Sequence, residues 1–231
     1  MCGRFTLTVE PDALLRELGL DPPEGFAPRY NIAPTQNVLA VAEARDGERR
    51  LGLLRWGLVP YWAEDASGGA RTINARSESV ATRRPFREAF DRRRCLVLAD
   101  GFYEWRRDDG RKVPLRFVRP DGLPFTFAGL WERWRQEDGT HLHTCTILTT
   151  RPNAAVAPVH DRMPVIIAPE DRARWLDHGS SGAAVADLLH PPADDALEGY
   201  EVRDLVNAVA NDVPAVIAPR PPDPPALTLF P

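Results

Sequence analysis

The sequence predicts an α+β fold, a single domain in which a mainly antiparallel sheet or irregular barrel carries a few short helices. Three observations predict it. Short apolar runs recur along the chain, of strand length rather than helix length. Asp-Gly pairs at Asp46-Gly47, Asp109-Gly110, Asp121-Gly122 and Asp138-Gly139 punctuate them with the turn chemistry of hairpins. A length of 231 residues with 43% hydrophobic content suits one domain with an ordinary core.

Taken in order, residues 9–18 read as a short helix that Gly19 is placed to end. A Pro/Gly loop leads to Asn31-Ile32-Ala33-Pro34. Strands are expected at 38–43 and 50–56, then at 95–99, 102–106, 113–118, 124–130, 143–149 and 163–168. Helices are expected at 85–91, 169–177 and 183–190. Residues 61–71 read as a mobile loop bearing one large aromatic, Trp62. Residues 219–225 hold five prolines in seven positions, an extended linker. The expected division is a domain over 1–212 and a Pro-rich tail over 213–231.

Composition narrows the function. No run approaches the ~20 apolar residues of a membrane helix, and Met-Cys-Gly-Arg-Phe lacks the apolar core of a secretory signal, so a cytoplasmic protein is expected. Three cysteines (Cys2, Cys95 and Cys145) form no disulfide framework. His141 and His143 alternate along a strand without metal-ligand spacing, so no metal is expected. The net charge of −4 argues against bulk nucleic-acid binding. Between Arg71 and Arg94, however, eight arginines face three acidic residues. That local surplus is either a phosphate-facing patch or a solvated surface.

Four residues carry candidate chemistry. Initiator Met is removed when the next residue is small, which would leave Cys2 with an amine and a thiol on adjacent carbons. Such a 1,2-aminothiol attacks an aldehyde twice, first as an imine and then as a five-membered thiazolidine. An α-amine with pKa ~8 is roughly a tenth neutral near pH 7, whereas a lysine at ~10.4 is under a thousandth neutral. The only lysine among 29 basic residues is Lys112. Glu104, in Gly101-Phe102-Tyr103-Glu104-Trp105, shares a strand face with Leu96, Leu98 and Phe102 by alternation. A carboxylate there is either paired with an arginine or a general acid/base of raised pKa. His160, at the junction before Val165-Ile166-Ile167, is either surface decoration or a proton shuttle. Asn74, beside Arg76, either stabilises a turn or binds a substrate oxygen.

Six motifs stand in order: Met-Cys-Gly-Arg-Phe, Arg29-Tyr30-Asn31-Ile32-Ala33-Pro34, Trp56-Gly57-Leu58-Val59-Pro60, Ile73-Asn74-Ala75-Arg76-Ser77-Glu78, Ala99-Asp100-Gly101-Phe102-Tyr103-Glu104-Trp105 and His160-Asp161-Arg162-Met163-Pro164. Together they resemble the SOS-response-associated peptidases, now regarded as abasic-site processing proteins, over roughly residues 2–212. The resemblance implies a mixed α+β domain whose curved sheets form a pseudo-barrel. It implies a covalent DNA–protein crosslink through processed Cys2, with Asn74, Glu104 and His160 as catalytic residues. It places Arg4 and Arg76 on phosphates and Trp62 against bases, with Asn31 and Thr149 as further DNA-binding positions. The expected partner is single-stranded DNA with abasic sites, met by a monomer without metal or organic cofactor. Two other functions compete: a cysteine peptidase acting beyond its own Met1, and a non-catalytic single-strand binding module.

The last residues, Ala226-Leu227-Thr228-Leu229-Phe230-Pro231, resemble the bacterial sliding-clamp pentapeptide at Leu227, Leu229 and Phe230. Ala226 departs from its glutamine. The tail either binds the replication clamp or folds back to bury Phe230 on its own domain.

Overall fold

A computed structural model describes residues 2–221. In chain order the strands are β1 (Phe5–Leu7), β2 (Arg29–Ile32), β3 (Asn37–Glu43), β4 (Arg49–Trp56), β5 (Asn74–Arg76), β6 (Arg94–Ala99), β7 (Gly101–Asp108), β8 (Arg111–Val118), β9 (Phe125–Arg135), β10 (His141–Thr150), β11 (Met163–Pro164), β12 (Ile166–Ile167) and β13 (Glu198–Glu201). The α-helices are α1 (Asp12–Glu17), α2 (Arg87–Arg92) and α3 (Arg172–Leu176).

Five strands close a barrel. Antiparallel pairings join β4 to β3, β3 to β6, β6 to β9 and β9 to β10, and a parallel pairing of β10 with β4 (Thr144↔Arg55) completes the ring. The short β5, β11 and β12 extend it. A second sheet, in the order β13-β8-β7-β1-β2, packs on the barrel through Phe5. That ring meets Trp56 at 5.2 Å and Phe127 at 5.6 Å, both edge-on, the geometry that aromatic quadrupoles favour. The architecture is the expected α+β pseudo-barrel.

Strand chemistry explains the regular hairpin. Asp109 and Gly110 sit at φ 42° and 81°, the left-handed pair that a tight β7–β8 turn requires. Gly101 is a close approach: a Cβ there would lie 2.8 Å from Arg116 Nε and 2.9 Å from Thr6 Oγ1.

Several expectations are corrected. Leu96 and Leu98 lie on β6 in the barrel, whereas Phe102 and Glu104 lie on β7 in the other sheet, because the chain changes sheets at Asp100. The 61–71 segment is anchored rather than a bare loop. Trp134 Nε1 donates to Ala63 O at 2.8 Å, and Gly57 and Gly69 bring two backbones so close that a Cβ on Gly57 would lie 2.6 Å from Gly69 O. The expected helix at 169–177 divides into a 3₁₀ turn and α3, and 182–188 is 3₁₀ rather than α. Residues 213–220 stay on the domain: Val216 is fully buried and Pro219 bridges Val202. Leu227, Leu229 and Phe230 lie outside the described residues. Among the described residues no helix is long and apolar enough to cross a membrane.

Candidate active site

The site begins with the β1–β7 register. Phe5 opposes Phe102 and Thr6 opposes Gly101, and Tyr103 N–H donates to Arg4 O at 3.0 Å. The antiparallel ladder therefore carries the residues before Arg4 alongside Glu104 and Trp105. Asp100 secures this register. Its carboxylate accepts from Thr6 Oγ1 (2.5 Å), Thr8 N (2.6 Å), Thr8 Oγ1 (2.5 Å), Val9 N (2.9 Å) and Arg116 Nη2 (3.0 Å).

Cys2 is fully buried, with its thiol donating to Arg4 O at 3.7 Å. Burial pushes the thiol pKa up, and the nearby Glu104 charge pushes it further. The Cys2 carbonyl accepts from Asn74 Nδ2 at 2.7 Å. Asn74 is placed by the parallel β5–β10 pairing, Ile147↔Asn74. Its Oδ1 is buried with no partner among the described residues.

Glu104 is only 3% exposed. Burial raises its carboxyl pKa to about 7, against the opposing pull of the chain's amino-terminal charge. His160 Nε2 lies 3.9 Å from Glu104 Oε2. His160 Nδ1 lies 2.9 Å from the Arg162 backbone N, 3.1 Å from Arg162 O and 3.1 Å from Asp161 Oδ1. Partial burial and the amino-terminal charge lower the His160 pKa, so the neutral ring is favoured. The histidine loop is pinned by Arg162, which pairs with Glu78 at 2.6 Å and donates to Thr149 O at 2.6 Å.

The structure thus brings Cys2, Asn74, Glu104 and His160 together. A cleft of about 750 Å³ opens beside them, lined in part by Glu104, Trp105, His160 and Asn207. Among the described residues no group of three or more His, Cys, Asp or Glu side chains could hold a metal ion.

The expected DNA contacts divide. Arg76 is exposed on β5, and Trp62 is 41% exposed with the Arg84 guanidinium 4.1 Å above its ring. Asn31 and Thr149 are fully buried, as Cys2 is. Asn31 donates to Val206 O, Ala208 O and Asn211 O, and its Oδ1 accepts from Arg4 at 2.8 Å. Arg4 is half-buried, with a second bond to Val206 O at 2.6 Å. Of the eight arginines between 71 and 94, Arg94 is buried and donates to Trp175 O, Phe90 O, Asp177 O and Ser180 O. Arg93 pairs with Glu88 and Glu132, and the other six are exposed.

A family model described as SOS response associated peptidase (SRAP) matches residues 1–209. The chain belongs to the SRAP family. It is 43% identical to "Abasic site processing protein YoqW" of Bacillus subtilis, over 94% of this chain and 99% of that one. It is 29% identical to "Abasic site processing protein HMCES" of Pongo abelii, over 95% and 76%. A solved structure from Bacteroides thetaiotaomicron superposes with a TM-score of 0.80 at 24% identity, covering 95% of this chain and all of that one, and speaks to the fold alone. A phage-related protein from Bordetella bronchiseptica superposes at 0.70 with 30% identity, covering 87% and 94%.

Sequence reasoning missed the Asp100 clamp and the 203–217 segment that packs behind the site through Asp212, which accepts from Tyr30 N and Asn31 N. Asp100 stands inside a motif and could have been found there. Asp212 follows no apolar period and gave no signal.

Proposed function

We propose that this SRAP protein processes abasic sites in single-stranded DNA, and that it does so by forming a thiazolidine through Cys2 once Met1 is removed. The observation that carries the reading is the convergence of Asn74, Glu104 and His160 on the Cys2 end of the chain, beside an open cleft. The relatives' name, abasic site processing protein, supports the abasic-site part of the reading.

The abasic sugar must first open to its aldehyde, and the neutral His160 ring is placed to move that proton. Glu104, with a pKa of about 7, takes a proton from the Cys2 ammonium. The amine adds to C1′, and the resulting carbinolamine loses water to give an imine. The thiol sulfur then adds to the imine carbon while its proton passes to the ring nitrogen. One aldehyde and one aminothiol thus become one thiazolidine and one water. Asn74 holds the Cys2 carbonyl and so orients the terminus.

A general cysteine peptidase would need an activated thiolate. Burial and Glu104 both favour the neutral thiol here, which weighs against that alternative. The test is intact-mass analysis after incubation with an abasic single strand. The wild type should lack Met1 and gain the oligonucleotide mass less one water. Cys2→Ala should give no heat-stable adduct without reductant, although borohydride should trap an imine on its amine. A heat-stable Cys2→Ala adduct, or peptidase activity that survives blocking of the α-amine in place of crosslinking, would overturn the proposal.

A further inference from the structure

The β7–β8 hairpin beyond Glu104 carries a like-charge pair with no structural reason to exist. Arg107 and Lys112 are directly opposite each other in the antiparallel register, and both are exposed. Among the described residues neither has an ion-pair partner. Like charges opposed across a strand pair are destabilising. Their neighbour Arg106 is paired with Glu201 of β13 at 2.5 Å, whereas Arg107, Arg111 and Lys112 have no ion pair among the described residues. Arg107 and Lys112 both line the cleft that contains Glu104 and His160.

Asn207 strengthens the case. It is exposed on the same cleft, and its Oδ1 accepts from Trp105 Nε1 at 2.8 Å. That bond occupies the amide oxygen, so its NH₂ is the group left to donate. Two unquenched cations and an amide donor share one polar wall. An anion with several acceptor oxygens fits it, and a strand of nucleic acid supplies one at each phosphate.

We propose that Arg107, Lys112 and Asn207 form a second phosphate-binding wall, separate from the exposed arginines between 71 and 92, which holds one flank of the damaged strand. The inference rests on the abasic-site reading above and adds the path of the DNA. Arg107 lies three residues along β7 from Glu104, about 10 Å at strand rise, so the phosphate it holds belongs to a neighbouring nucleotide and not to the abasic one. The strand then runs from the Arg76 side, past Cys2, to the hairpin. Because Glu104 and Asp161 also line the cleft, its cationic part is the hairpin side alone.

The experiment measures fluorescence anisotropy with single-stranded oligonucleotides bearing a tetrahydrofuran abasic analogue, which has no aldehyde and so reports binding without crosslinking. Flanks are shortened on the 5′ or the 3′ side in turn. The Arg107→Ala/Lys112→Ala protein should bind about tenfold more weakly at low salt, with a log–log salt slope shallower by about 1.4, the value for two single-strand phosphate contacts. Shortening one particular flank should weaken the wild type but not this variant, and Lys112→Arg should bind like the wild type. The variant's melting temperature should equal or exceed that of the wild type, since a repulsive pair is gone. If the double variant does not fold, Lys112→Gln provides the same reading at half the slope change. Unchanged affinity and slope, or equal sensitivity to both flanks in wild type and variant, overturns the wall while leaving the Cys2 chemistry standing. A wild type that binds the analogue in the expected pattern, yet forms no adduct with an aldehyde-bearing strand, overturns the chemistry and leaves the wall.

Discussion

Asp100 and Glu104 are two buried carboxylates four residues apart, 4% and 3% exposed, yet they are built for opposite ends. Asp100 accepts five hydrogen bonds, one of them from Arg116, and joins β1 to the start of β7. Glu104 faces an imidazole 3.9 Å away and a thiol whose pKa it raises. Its own pKa rises to about 7 because burial disfavours the charge. Equal burial therefore says little about a carboxylate's role, and the donors around it decide. A saturated one holds the backbone in register, whereas one whose burial outweighs the amino-terminal charge keeps its proton exchangeable near neutral pH.

The comparison can be broken most directly at the clamp. Asp100→Ala leaves the Arg116 guanidinium and the Thr8 and Val9 amides without their acceptor. It should cost about 3–5 kcal/mol of stability in denaturant titration, the range for removing one partner of a buried ion pair. A loss below about 1 kcal/mol would show that Asp100 does not hold β1.

Glu104→Gln should behave in the opposite way. Crosslinking at saturating DNA should slow by ~10²-fold, the scale of acid–base catalysis. At pH 8 the variant should be the more stable protein, by up to about 3 kcal/mol, because an ionised carboxylate is no longer buried. A variant that is both fast and no more stable would erase the distinction from Asp100.

The same Glu104 effect appears as a pH dependence, and its sign follows from the raised pKa. Between its ordinary value of 4.5 and about 7 the folded protein holds a proton that the unfolded chain releases. Stability therefore falls as pH rises through that window, and Glu104→Gln should remove that fall. The wild-type crosslinking rate should rise across pH 7 as Glu104 becomes a base, and the ratio of wild type to Glu104→Gln should carry that step. A flat ratio would mean that Glu104 does not titrate in the reaction.

Much of the site was legible in advance because its residues stand in compact motifs. Local pattern located most of the long strands, and the aminothiol chemistry of Cys2 is independent of fold. Burial was not legible. Asn31 and Thr149 look like available hydrogen-bonding groups in the sequence, yet each is fully enclosed. Arg94 looks like part of a basic run, yet its guanidinium ties together backbone carbonyls from α2 and the segment after α3. The short strands Phe5–Leu7, Arg29–Ile32, Asn74–Arg76 and Glu198–Glu201 went unseen, because three or four residues cannot display a period and owe their conformation to distant partners.

By itself the sequence determined the α+β class, the principal hairpins and the identity of the groups at the site, since these depend on residue type and on spacing along one segment. Only the tertiary structure decided that β4 and β10 meet in parallel to close a barrel, that the chain changes sheets at Asp100, and that Asn74 reaches the Cys2 carbonyl across 72 residues. The physical reason is that a side chain's partners, and with them its burial and its pKa, come from segments far away in the chain. No local pattern carries that information.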